Sequence, residues 1–268
     1  MTQDGSARHN TVAATTGEKA TSLNASSVGE ENSSVFGLAT SALNHVAQTH
    51  HDPSDMRADI DLFVDALIDP DPKRAVAAFH KVQSQGMAIE PLYLEYLAGS
   101  ARRLGDRWTE DLVSFSTVSV GVSRIYGLIR SLDRPVEPHA SAHRPKALFA
   151  ALPGETHTLG LRMAADLFRR RDWDIELVLP QSDQELMSRF EGSDHRLVGL
   201  SGADTTGLAD LERITKAMRK RKPQARILIS GALAQHPSLR SSITVDAVAQ
   251  DFEQAFAAMT ELWRAAPA

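Results

Sequence analysis

The hydrophobic period of this chain changes after residue 145. Short apolar runs at 147–152, 175–179, 197–200, 227–229 and 247–248 alternate with helical patterns near 159–171, 183–191, 207–221, 233–241 and 251–264. Strands joined through helix-length segments pair in parallel, and a parallel sheet needs helices on both faces. The pattern therefore predicts an α/β domain over 146–268, flavodoxin-like, with a five-stranded parallel sheet. No G-x-G-x-x-G follows the first run and no P-loop sequence occurs, which argues against a dinucleotide or nucleoside-triphosphate fold.

Upstream, residues 56–132 read as helices. Ile60, Phe63, Val64 and Leu67 make one apolar stripe, ended by Asp69-Pro70-Asp71-Pro72. Ala75, Val76, Phe79 and Val82 make a second, ended near Gly86. Pro91 suits the first turn of a third helix carrying Leu92, Tyr96, Leu97 and Leu104. A fourth runs from about Glu110 to Leu132, with Phe115, Val118, Val122, Ile125, Leu128 and Ile129 as its apolar stripe. Four helices with short connections predict a four-helix bundle. Residues 133–145, with three prolines and no periodicity, form the expected linker. Residues 1–55 read as a largely disordered extension, since 1–33 are polar and small. Within it, Val35, Phe36, Leu38, Ala39, Leu43 and Val46 predict one short amphipathic helix.

Composition narrows the function. A net charge of −5 with a pI near 6.1 does not describe a dedicated nucleic-acid surface. The absence of cysteine excludes disulfide scaffolds, thiolate metal sites and thiol nucleophiles. No apolar run reaches membrane-spanning length, and no secretory leader is recognisable, so the expected compartment is the cytoplasm. Lys216 to Lys222 is a basic run at a helix end, expected to be solvated. No Ser-His-Asp set or paired carboxylates can be assigned.

The first strand runs into Pro153-Gly154-Glu155-Thr156-His157-Thr158-Leu159-Gly160, and a helix follows. Strand, loop, helix is where an α/β fold presents ligands. His157 has two readings here. It can offer one ring nitrogen to a metal while Glu155 holds the other, or it can simply be satisfied at a helix start. Gly160 is expected to let the helix approach closely.

The E-x-H-x-x-G spacing resembles the D-x-H-x-x-G motif of cobalamin-binding domains, with Glu155 standing where Asp is usual. That resemblance implies His157 as the lower ligand to cobalt. The longer wording Leu152-Pro-Gly-Glu-Thr-His-Thr-Leu-Gly, followed by Phe168-Arg-Arg-Arg-Asp-Trp173, is similar to the PpaA/AerR family of photosynthesis regulators. The likeness covers about residues 56–264.

It implies further site residues. Leu200-Ser201-Gly202-Ala203 resembles the family's S-x-L segment after the third strand, where the slot for the cofactor's nucleotide tail lies, with Ser201 at the Ser, Gly202 between, and Ala203 where Leu is usual. Gly231 and Ala232 stand at its usual Gly-Gly pair after the fourth. Leu104-Gly105-Asp106-Arg107-Trp108 resembles the helical cap, which implies that Trp108 covers the upper face. Light-sensing relatives carry W-x9-E-H, and here those last two positions are Val118 and Ser119.

The implied cofactor is cobalamin, with haem as the alternative described for some of the wider group. The implied function is a non-enzymatic sensor acting through a DNA-binding repressor of the PpsR/CrtJ kind. The competing reading is a corrinoid carrier for methyl transfer, in which the cofactor does the chemistry.

Overall fold

The computed structural model describes residues 53–132, 144–203, 207–239 and 243–265. The short helix expected at 35–48 and most of the linker lie outside them.

Helix α1 (Pro53–Ile68) buries Phe63, Val64 and Leu67. Helix α2 (Pro72–Ser84) starts at a proline and is capped by Asp71, whose carboxylate accepts from the Lys73 amide. Helix α3 is one rod made of Ile89–Pro91, a π-helical stretch Leu92–Leu97, and Ala98–Thr109. Helix α4 (Phe115–Leu132) begins five residues later than the apolar pattern suggested. Asp111 takes a left-handed φ of 57°, and Ser114 Oγ accepts from the Thr117 amide, so residues 110–114 form a turn with a new helix start.

The second unit contains β1 (Lys146–Ala151), α5 (Leu159–Arg170), β2 (Asp174–Val178), α6 (Asp183–Gly192), β3 (Leu197–Gly202), α7 (Leu208–Arg221), β4 (Arg226–Gly231), β5 (Ala247–Val248) and α8 (Phe252–Ala265). Of the helical stretch expected at 233–241, the described residues form a 3-10 turn, Ala232–Gln235, after which His236 is extended and Leu239 is again helical. All strand pairs are parallel, in the order β2-β1-β3-β4-β5. This is the flavodoxin-like order, and the strand direction of travel reverses between β1 and β3, opening a crevice at their carboxyl ends.

Alternation along the strands splits the core. Leu148, Ala150, Val198, Leu200, Ile227 and Ile229 pack under α6 and α7. Ala147, Phe149 and Leu228 face α5 and α8 instead, in a cluster continuous with the apolar interior of α1–α4. The two units are thus packed together. Buried Tyr93 of α3 donates to Asp166 of α5 at 2.7 Å, and Arg170 donates to the same oxygen at 2.6 Å. Arg171 bridges Glu90 and Glu253.

Candidate cobalamin site

At the crevice, Gly154 adopts a φ of +78° and donates to the Pro180 carbonyl, turning the chain sharply after β1. The turn sends the Glu155 side chain inward. Its Oε1 accepts from the His157 amide at 2.7 Å and lies 2.8 Å from His157 Nδ1. Its Oε2 accepts from the Ala203 amide at 2.9 Å, tying the β1 loop to the end of β3. Burial pushes this carboxyl up, but the three hydrogen bonds outweigh it and hold the group down at about 2. An ionised carboxylate only accepts, so Nδ1 carries a proton, and in the neutral ring the lone pair is then on Nε2. The extra methylene of Glu, relative to Asp, still places the carboxylate on the imidazole.

His157 lines a cavity of about 380 Å³. Its side chain is 34% exposed, which leaves the ring accessible to a ligand. The floor runs down the α5/α8 face of the sheet, past Gly199, Ser201, Leu228 and Ser230. Small residues at 199, 201 and 230 on that face leave a slot that larger side chains would fill. A Cβ at Gly199 would come within 3.0 Å of the Phe149 ring. Among the described residues the Ser201 hydroxyl has no hydrogen-bond partner, so it can bond to a guest.

Gly231 has φ 77° and ψ −162°, a region that only glycine occupies freely. A Cβ there would meet the Gly202 carbonyl at 2.7 Å and Ser201 Oγ at 2.8 Å. A Cβ on Gly202 would meet Leu233 at 2.4 Å. Ala232 is buried beside them and lines the same space.

Gly160 also lines the cavity, but a Cβ there would touch nothing within 4 Å. The close helix approach expected for this glycine is therefore not what it provides; it leaves open space at the start of α5.

The roof comes from the helical unit. Phe115, Val118, Ser119 and Val122 of α4 line it, with Leu94 from the π-helical stretch. Val118 and Ser119, the positions set apart by the light-sensor pattern, thus both face the cavity. Trp108 is not among the lining residues. It is half-buried behind Phe115, the ring centroids 6.0 Å apart. The aromatic at the roof is Phe115, 60% exposed. Sequence reasoning placed Phe115 in the apolar stripe of α4, and it did not find Tyr126 as a wall residue. The short side chains on alternate positions of β3 were the available signal for the slot.

Among the described residues no three His, Asp or Glu gather as metal ligands, so a metal here rests on His157 and on what a cofactor brings. The basic run ending α7 is largely consumed: Arg219 pairs with Asp246, Lys216 with Glu212, and Arg221 with Glu191. His195 is buried near Glu176 and Asp194, far along the chain from the site. No helix of the described residues is long and apolar enough to cross a membrane.

A single imidazole with a free Nε2, a deep apolar slot beside it and a hydroxyl in the slot fit a corrin with a nucleotide tail. Residues 145–260 match the B12 binding domain family. This stretch is a cobalamin-binding domain. An uncharacterised 20.5 kDa protein in the bchF-crtJ intergenic region of Rhodobacter capsulatus is 26% identical over 160 residues, spanning 58% of this chain and 82% of that protein. The Methanosarcina barkeri monomethylamine corrinoid protein shares the fold with a TM-score of 0.59 at 14% identity, over 77% of this chain and 98% of its own. A cobalamin-binding protein from Desulfitobacterium hafniense DCB-2 aligns with a TM-score of 0.41 and 14% identity, over 78% and 98% of the two chains.

Proposed function

We propose that the protein is a corrinoid-responsive regulator that works through a protein partner and not as an enzyme. The observation that carries this reading is that one cavity is walled by both units, His157, Ser201 and Gly231 below and α4 above. A guest there contacts both units, and a ligand shifts a conformational equilibrium only through such differential contacts. Cobalamin supplies a cobalt centre whose axial ligands exchange. On this side, His157 Nε2 would hold the metal, Glu155 fixes the ring, and Ser201 would bond to the tail.

The partner proposed is a DNA-binding repressor of the PpsR/CrtJ kind. Two things support it: the PpaA/AerR-like wording around Glu155 and Phe168, and the bchF-crtJ location in the name of the Rhodobacter relative. The apolar stripe at 35–48 is the contact segment proposed for that partner.

The test is repressor affinity with and without cobalamin, on full-length protein and on a variant lacking residues 1–50. Cobalamin should change the affinity of the full chain, and the truncation should weaken the complex while cobalamin binding persists. His157→Ala should abolish the His-ligated absorbance spectrum. Equal repressor affinity in both ligand states, together with measurable methyl transfer from the loaded protein, would replace this reading with that of a corrinoid carrier.

A further inference from the structure

The walls of the cavity belong to two units, so some contact must carry a change at one wall to the other. Among the described residues, Tyr126 makes that contact directly beside the metal ligand. It sits on α4, and its ring lines the cavity. Its hydroxyl lies 3.3 Å from Thr158 Oγ1. Thr158 is buried, follows His157 immediately, and precedes the first turn of α5. Thr158 Oγ1 also accepts from Arg162 Nε at 3.4 Å, and the Arg162 guanidinium stands 5.7 Å from the centre of the Tyr126 ring. Three side chains therefore close a small polar cluster across the seam between α4 and α5.

We infer that Tyr126 is a positioning residue that makes α4 and the His157 loop respond together to what fills the cavity. A guest pressing on the ring must move a hydroxyl anchored one residue from the metal ligand. The Tyr126–Thr158 separation is long for a hydroxyl pair, so the bond has room to tighten or to break as the ring shifts. The middle of α4 is not free to absorb the motion. Arg124, two residues away, donates to the Leu67 and Asp69 carbonyls at 2.8 and 2.6 Å, fastening α4 to the end of α1. Movement at Tyr126 is thereby passed to the helical unit. The inference rests on the reading of the cavity as the cobalamin site.

The test is hydrogen exchange on the full chain, ligand-free and loaded with cobalamin to matched occupancy. In the wild type, cobalamin should slow exchange in both 155–162 and 115–132. Tyr126→Phe keeps the ring and its packing. It should keep the protection of 155–162, lose more than half of that of 115–132, and weaken cobalamin about fivefold, the worth of one neutral hydrogen bond. Thr158→Val should behave the same way, because the Thr158 side chain makes no capping bond to α5. The double variant should add nothing further. A merely structural hydroxyl would instead lower the ligand-free Tm and leave the α4 protection intact. That outcome, or wild-type protection confined to 155–162, overturns the inference. Failure of the wild type to bind cobalamin at all would sink the underlying cofactor reading, and this one with it.

Discussion

Glu155→Gln isolates the electrostatic part of the site, because it keeps length and shape and removes one charge. In the wild type one carboxylate serves His157 Nδ1, the His157 amide and the Ala203 amide, all donors. An amide offers one acceptor oxygen, so its NH₂ must confront a donor. The carboxyl is held at about 2 against an ordinary 4.5, which corresponds to about 3 kcal/mol favouring the folded state with the group ionised. Its pKa is depressed on folding, so this stabilisation is fully present above pH 4.5 and is lost as pH falls toward about 2. Denaturant unfolding at pH 7 should show the variant less stable by about 2–3 kcal/mol. The gap between the two proteins should shrink steadily below pH 4.5, and comparing them cancels the carboxylates they share. Loss of the partner that orients and enriches the imidazole should also weaken cobalamin about 10–100-fold in an absorbance titration. Affinity within twofold of wild type, together with a stability gap that is the same at pH 7 and pH 3, would refute the account.

Gly160→Ala should fold at least as well as wild type, since a Cβ there meets no protein atom within 4 Å and alanine favours helix over glycine by about 1 kcal/mol, yet cobalamin uptake should fall because the methyl group enters the cavity. Gly231→Ala should cost about 1–3 kcal/mol in unfolding free energy from its backbone region, with the clash against the Gly202 carbonyl in addition, and a Tm unchanged from wild type would contradict it. Phe115→Ala should speed exchange of the upper axial ligand in a stopped-flow cyanide assay by more than Trp108→Ala does, and the reverse order would restore Trp108 as the covering ring.

Much of this was readable in the residues, for reasons that differ between the units. Short apolar runs separated by helix-length segments can pair only in parallel, so 147–152 and 197–200 announced two strands of a parallel sheet. The Glu155–His157 loop was legible because its chemistry is local: the two residues are two apart, and the turn at Gly154 brings them together. Less visible was what depends on distant contacts. The Glu155–Ala203 bond spans 48 residues, and no spacing rule reports it. At 233–241 the helical pattern reflected burial of Leu233 and Leu239, and the extended residue His236 that interrupts it after the 3-10 turn leaves no mark on a periodicity. The offset start of α4 came from Ser114, whose capping role is outvoted in a periodicity count by the apolar residues around it.

The roof shows why the site's upper half resisted the same reasoning. The stripe Phe115, Val118, Val122 of α4 has the period of a core-facing helix, and it was read as core. Periodicity reports which face of a helix avoids water, not what lies opposite. Here the face is shared: Val118 is packed at 1% exposure, while Phe115, at 60%, borders a cavity. A protein that holds a large apolar guest must carry such a face, because the guest completes the core only when it is present. Trp108 is the largest side chain of the segment that resembles the cap, but it sits on α3 beside Phe115, and Phe115 is the ring of the two that lines the cavity. Phe115, the first residue of α4, borders the cavity at the place where the turn at Asp111 and the cap at Ser114 start the helix.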